Sequence, residues 1–305
     1  KTTTLLSKGL QLQPPTRTVN IDTTAVVDQE DFVGPPSPMD FGLDPAMVQS
    51  GSSKPSVPPK EIEGEGYLAK LIPAGHFTMG CTPEQTNCHD NEKPPHKVTL
   101  SKDFYMMESE VTQALFQRVM GFNLSHFKGL NRPVEQVDWI DVIKFSNALS
   151  ALEGLEPCYQ ITAEGVFWED QTCRGWRLPT EAEWEYSARG NEPYQYAGSS
   201  RLDGIALYAD NSNNQTHDVC SKRRNGLGLC DMSGNVWEWV WDWKGTYSSS
   251  PTVDPRGPDS GSYRVRRGGS WYSSARSIRV SNRGSDGPTV TNNNVGFRLC
   301  RLSPN

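Results

Sequence analysis

Hydrophobic positions along this chain change their spacing twice, and the changes divide it into three stretches. Residues 1–60 have no period at all. From Tyr67 to Gly80 apolar residues come in short runs that predict two strands about a Pro73-Ala74-Gly75 turn, and Val98 to Met106 predicts another strand. A helical spacing then sets in. Val111, Leu115 and Val119, with Ala114 and Arg118 beside them, predict a helix from about Thr112. A second helix is expected from Asp138, a good N-cap, to Leu152. Val142, Phe145, Leu149 and Leu152 would form its buried face, and Gly154 would stop it. Thr180-Glu-Ala-Glu183 is a capping box, so a short third helix should bury Trp184 and end near Gly190. Beyond Gly190 the helical period disappears, and turns alternate with short aromatic strands. Trp237, Trp239, Trp241 and Trp243 fall at alternate positions, which as a strand places them on one face. That much aromatic area predicts core, with Glu238 and Asp242 on the opposite side.

The first stretch is rich in Thr, Ser, Pro and Gly, punctuated by Pro14-Pro15, Pro35-Pro36-Ser37-Pro38 and Pro58-Pro59. Such a composition buries too little apolar area to offset its ordering entropy. It reads as an extended arm or linker over 1–64, although partial alternation over 16–27 could add a strand to a sheet edge. Hydrophobic content of 35% with 22% charge suits a soluble globular domain over 65–305, and no apolar run is long enough to span a bilayer. A net charge of −6 argues against nucleic-acid binding, which needs a basic face. Any membrane attachment would be through a lipid anchor upstream of this chain.

Six of the seven cysteines fall in close pairs: Cys81 with Cys88, Cys158 with Cys173, and Cys220 with Cys230. They read as disulfides closed in an oxidising compartment. Zinc is the rival, but no pair has the C-x-x-C spacing of a structural zinc site. Cys300 is left over and reads as a buried small hydrophobe. The five histidines are scattered without metal-ligand spacing, and His96 reads as structural. Glu181, Glu183 and Glu185 are accounted for by the helix dipole.

Three motifs stand in order: Gly175-Trp-Arg-Leu-Pro-Thr-Glu-Ala-Glu-Trp-Glu-Tyr186, the Gly226 to Trp243 stretch containing Asp231-Met-Ser-Gly-Asn-Val-Trp-Glu238, and Arg267-Gly-Gly-Ser-Trp271 closed by Val295-Gly-Phe-Arg298. Together they resemble the formylglycine-generating-enzyme, or sulfatase-modifying-factor, family over about Tyr67 to Arg301. The resemblance implies an α+β fold, the variant of the C-type lectin fold that this family uses, with little regular secondary structure. It also implies a structural calcium held by the side chains of Asp231 and Glu238 and the carbonyls of Gly234 and Val236, an all-oxygen set that suits this ion. A second family calcium site is matched only loosely by Ala209-Asp210-Asn211-Ser212.

The family's oxidation uses two cysteines that bind copper(I). Counting from Gly268-Gly269, those positions are Ser273 and Ile278 here, and neither offers a soft thiolate. No copper is expected, and a catalytic role loses its chemistry. The segment after Trp271 instead resembles the C-terminal ligand-binding region of retroelement-diversified variable proteins of the same fold. Its Tyr, Ser, Thr and Asn content also suits a paratope. The expected ligand face is Tyr272, Ser273, Ser274, Ser277, Asn282, Ser285, Asp286, Thr289, Thr291 and Asn292. Gly268, Gly269, Trp271, Arg279, Gly296 and Phe297 should lie buried beneath it. The expected function is non-catalytic binding of a protein or glycan by about 272–294 in an exported protein, at a bacterial cell surface, in the periplasm or outside the cell. The alternatives are an oxidoreductase with an altered active site, and a structural subunit that self-associates through residues 1–60.

Overall fold

The computed structural model describes residues 58–304 apart from residue 169. The strand expected within 16–27, and nearly all of the arm, lie outside the described residues. In chain order the elements are β1 (Glu61–Gly64), β2 (Tyr67–Ile72), β3 (Gly75–Met79), β4 (His96–Leu100), β5 (Phe104–Met107), α1 (Gln113–Met120) and α2 (Trp139–Leu152). The chain continues through β6 (Gln160–Ile161), β7 (Val166–Phe167), α3 (Glu181–Arg189), β8 (Trp237–Trp243), β9 (Thr252–Val253), β10 (Arg264–Arg267), β11 (Gly284–Asp286), β12 (Val295–Phe297) and β13 (Cys300–Leu302). The sheet order is β1-β2-β5-β13, β11-β10-β8-β12, β3-β4-β9 and the hairpin β6-β7. This is the α+β architecture with short elements that the motifs implied. Strand β1 pairs residue for residue with β2 over Glu61–Gly64.

The caps account for the helices. The Thr180 hydroxyl accepts from the Glu183 amide while the Glu183 carboxylate accepts from the Thr180 amide, and Gly190 ends the helix in the left-handed region. Asp138 caps α2 by accepting from the Asp141 amide. Two expectations about helix faces fail. Ala114 is exposed, because the buried face of α1 is Gln113, Leu115 and Phe116; the Gln113 amide turns inward to donate to the Phe127 and Pro133 carbonyls. Leu152 is 63% exposed, since the last turn of α2 runs past the core. The strand expected over 98–106 is broken at 101–103, where the Ser101 amide and hydroxyl both donate to Asp254.

Strand β8 divides two cores. Trp237, Trp239 and Trp241 pack with Val142, Phe145 and Leu149 of α2 and with Phe297. Val240 joins Ala182, Trp184 and Ala188 of α3 in the other core. Glu238 and Asp242 do lie opposite the tryptophans, but they too are buried. The expected disulfides Cys81–Cys88, Cys158–Cys173 and Cys220–Cys230 are all formed, and Cys300 is a free, buried thiol.

Arginine–glutamate pairs tie the long loops to these elements. Arg279 makes two bonds to Glu92, at 2.8 and 2.6 Å, and Arg283 makes two to Glu181, both 2.6 Å. Arg177 makes two to Glu183, both 2.7 Å, and Arg267 pairs with Glu185. The three acids of α3 therefore do more than complement a dipole. Burial pushes the Glu92 carboxyl up, but the bonds from Arg279 and Ser281 outweigh it and hold it at about 2.

Glu92→Gln should cost about 3 kcal/mol of stability at neutral pH, because it leaves Arg279 buried beside a neutral group. The folded value of Glu92 lies below the ordinary one, so its contribution is complete above about pH 5 and is lost progressively as pH falls from there through the folded value of about 2. Denaturant titrations of parent and variant should therefore converge between about pH 4 and pH 2, and a gap that stays constant over that window would show that the pair is not ionic.

Candidate functional site

The candidate face is built on a left-handed turn. After β10, Gly268 and Gly269 have φ of 90° and 73°, and a Cβ on Gly269 would lie 2.5 Å from the Ile278 side chain. The backbone thus lies directly on the one-turn helix Ala275–Ile278. Trp271 is buried against Phe127 and donates its indole N–H to the Asn293 carbonyl. Main-chain bonds fix the far end, from the Gln136 amide to the Asn292 carbonyl and from the Trp139 amide to the Pro288 carbonyl. Between the ends, Arg279 and Arg283 anchor the segment through Glu92 and Glu181.

On this frame Tyr272 is 68% exposed, and Ser274, Thr289 and Thr291 are exposed as well. Ser273, Ser277, Ser285, Asp286 and Asn292 are half-buried, with Asp286 paired to Arg266 at 2.8 Å. Asn282 departs from the expectation. It is buried because its side-chain amide donates to the Ser277 carbonyl and closes the loop. The frame residues Gly268, Gly269, Trp271, Arg279, Gly296 and Phe297 are buried. At the two positions where the family's cysteines stand, the Ser273 hydroxyl accepts from the Ser270 amide at 3.0 Å. Ile278 is fully buried and packs with Tyr196, Ile205 and Ala206.

The second candidate region lies in the turn before β8. Asp231 and Asn235 adopt left-handed backbone, with φ of 59° and 58°. Asn235 accepts from the His217 amide, and the Asp231 carboxylate accepts from the Cys220 amide at 2.6 Å. Asp231 also lies near the sulfurs of Cys220 and Cys230, but their disulfide removes both as thiolate ligands. Glu238 is fully buried; Arg298 donates to it twice, at 2.7 and 2.8 Å, and Trp184 Nε1 donates at 2.8 Å.

Glu110, which sequence reasoning missed, adds a third acid. It is 1% exposed and no donor reaches either carboxylate oxygen. Burial first, and then the charge of Asp231, push its carboxyl well above the usual range. Asp231 itself is pushed up to about 6, mainly by burial. Three buried carboxylates thus share one guanidinium, Arg298, and carry two negative charges in excess when ionised. Oxygen donors, excess negative charge and an orphaned carboxylate fit a hard divalent cation. Glu110 left a faint trace in the sequence: a second acid in the Glu108-Ser-Glu110-Val-Thr112 stretch, just before the cap of α1.

The Sulfatase-modifying factor enzyme 1-like domain matches residues 56–302, and the chain belongs to that family. It is 37% identical to the chaperone protein LppX of Paenibacillus barcinonensis over 67% of this chain and 81% of that one. It is 32% identical to the formylglycine-generating enzyme of Streptomyces coelicolor over 83% of this chain and 94% of that protein. Among solved structures it resembles Treponema denticola variable protein 1, with 36% identity and a TM-score of 0.74, over 80% of this chain and 99% of that one.

Exchanging Thr289 and Thr291 together for Ala should shift stability by no more than about 0.5 kcal/mol, as surface positions do. A chemical-denaturation midpoint that moves by far more would place both side chains in packing roles.

Proposed function

We propose that this chain is a non-catalytic binding protein that presents the surface of about 272–294 to a protein or glycan. One observation carries the reading: Ser273 is tied to a backbone amide and Ile278 fills core space, so neither position supplies a thiolate for copper(I). Exposed Tyr272, Ser274, Thr289 and Thr291 on a frame held by buried arginines support a recognition role. The likeness to a variable protein of Treponema denticola points the same way. Three disulfides fit an exported protein, and we place it at a bacterial surface, in the periplasm or outside the cell, with the domain of 65–305 carried on the preceding arm. No helix among the described residues is long and apolar enough to cross a membrane. The Streptomyces relative keeps an oxidoreductase as the competing class. Incubation with copper(I) and a Cys-x-Pro-x-Arg peptide should leave the peptide cysteine unchanged by mass; formation of formylglycine would overthrow the binding-only reading.

The same domain, in this reading, holds a structural calcium at Asp231, Glu238 and the carbonyls of Gly234 and Val236, with Glu110 as a further oxygen donor. The ion would cancel the excess negative charge and hold the left-handed turn at Asp231. Calcium at 100 times its dissociation constant should stabilise the fold by about 2.7 kcal/mol, and a chelator should remove the gain. Glu110→Gln and Asp231→Asn should abolish most of that gain. In chelator, Glu110→Gln should melt no lower than the parent, because it removes an unpaired buried charge. Melting curves that ignore both calcium and chelator would dispose of the site.

A further inference from the structure

A cavity of about 300 Å³ opens between the β6-β7 hairpin, the end of β8 and the loop before β10. Trp168, Trp241 and Trp243 line it together with Arg256, Arg264 and Asp259. None of these residues belongs to the 272–294 surface or to the Asp231 turn.

Arg264 is the unusual member. It is 4% exposed, with its guanidinium stacked 3.7 Å from the Trp139 ring centre and 3.5 Å from that of Trp243. Its Nη1 donates to the Trp241 carbonyl, while Nε has no acceptor. The buried arginines Arg177, Arg267, Arg279 and Arg298 each have a carboxylate partner; Arg264 makes no ion pair among the described residues. Arg256 resembles it. Its guanidinium lies 4.1 Å from the Trp168 ring centre and donates to the Trp168 carbonyl, and it too has a partnerless Nε and makes no ion pair among the described residues. Burial lowers the affinity of Arg264 for its proton to about 9, and the charge of Asp242, which makes no ion pair with it, offsets this only in part. Asp242 is on the opposite face of β8, where it accepts from the Glu181 amide. Asp259, on the rim, is exposed and pairs with neither arginine.

Leaving two guanidiniums unpaired in one cavity is costly unless an anion completes them. Arginine forks suit carboxylate and sulfate, and an exposed aromatic side chain suits the flat side of a ring; Phe167, 40% exposed on the cavity wall, supplies one, since Arg177 and Arg256 cover Trp168 and Arg264 covers Trp243. The volume lies at the lower end of small-molecule sites and matches one ring-sized ligand. We propose that this cavity binds an acidic sugar residue, a pyranose bearing a carboxylate or sulfate. The anion would lie between Arg256 and Arg264, and the ring would pack against Phe167. Asp259 would accept from ring hydroxyls.

Isothermal titration of the whole chain in calcium buffer tests this with D-glucuronate and glucose 6-sulfate, against glucose as the neutral ring and acetate as the bare anion. At least one acidic sugar should bind saturably and quench tryptophan fluorescence. Glucose and acetate should each bind at least tenfold more weakly. Arg256→Gln and Arg264→Gln should each reduce the affinity at least tenfold. Near-UV circular dichroism checks folding, and if Arg264→Gln fails to fold, Arg256→Gln decides. Binding of neither acidic sugar would overturn the proposal. So would glucose or acetate binding as tightly as they do, or affinity unchanged in Arg256→Gln. Arg201→Gln, at an exposed position outside both surfaces, should leave the titration unchanged.

Discussion

The fold depends on buried arginine forks more than on any sheet. Regular elements are short, and much of the chain between α3 and the C-terminus is loop. A loop that passes through a core must satisfy its polar groups there or unfold. Arg267, Arg279 and Arg298 meet that demand from full burial, each with a glutamate within reach and at least one carbonyl taking a further N–H, although the Arg267 Nε finds no acceptor. Removing one partner of such a pair leaves an uncompensated charge, so each pair commits the loops on both sides to a single path. Specification of the path, more than net stability, is what these charges supply.

Helix α3 is the hub of that arrangement. Its face toward the second core carries Ala182, Trp184 and Ala188, while Glu181, Glu183 and Glu185 reach arginines from three separate parts of the chain. Trp184 then reaches across to Glu238, itself paired with Arg298. A nine-residue helix thereby touches the strand that divides the cores, the left-handed turn before the candidate face, and the anchor within that face. The candidate cation turn and the candidate face share this support without sharing residues.

Much of this could be read from the sequence where local chemistry decides the outcome. The Thr180 capping box, the Asp138 cap and the alternate tryptophans describe interactions within a few residues, and the structure keeps them except at Trp243, which is half-buried at the end of β8 and outside the core. The cysteine spacings were informative for the same reason. Contacts between distant segments were not legible. Glu110 reads as one more solvated acid until folding brings it to Asp231, some hundred residues away, and Arg264 reads as a polar position on a strand until Trp139 and Trp243 close over it. Asn282 looked like a ligand contact because nothing in its neighbours reveals that its amide bonds backward to Ser277. The failures at Ala114 and Leu152 are smaller, a rotation of one helix face and an overrun of one turn.

Arg279 and Arg283, four residues apart in a buried block over 278–283 between the exposed ends of the candidate face, are each clamped by two bonds to a buried glutamate. The backbone there has surrendered its freedom during folding, long before any partner arrives. An encounter with this surface need not pay for ordering a loop, so affinity depends on how well the side-chain tips fit. It also means that Tyr272, Ser274, Thr289 and Thr291 can be exchanged without redirecting the chain that carries them. The positions proposed for recognition and those that carry the architecture thus occupy separate blocks of one short stretch, and a lineage could rewrite the first while inheriting the second intact.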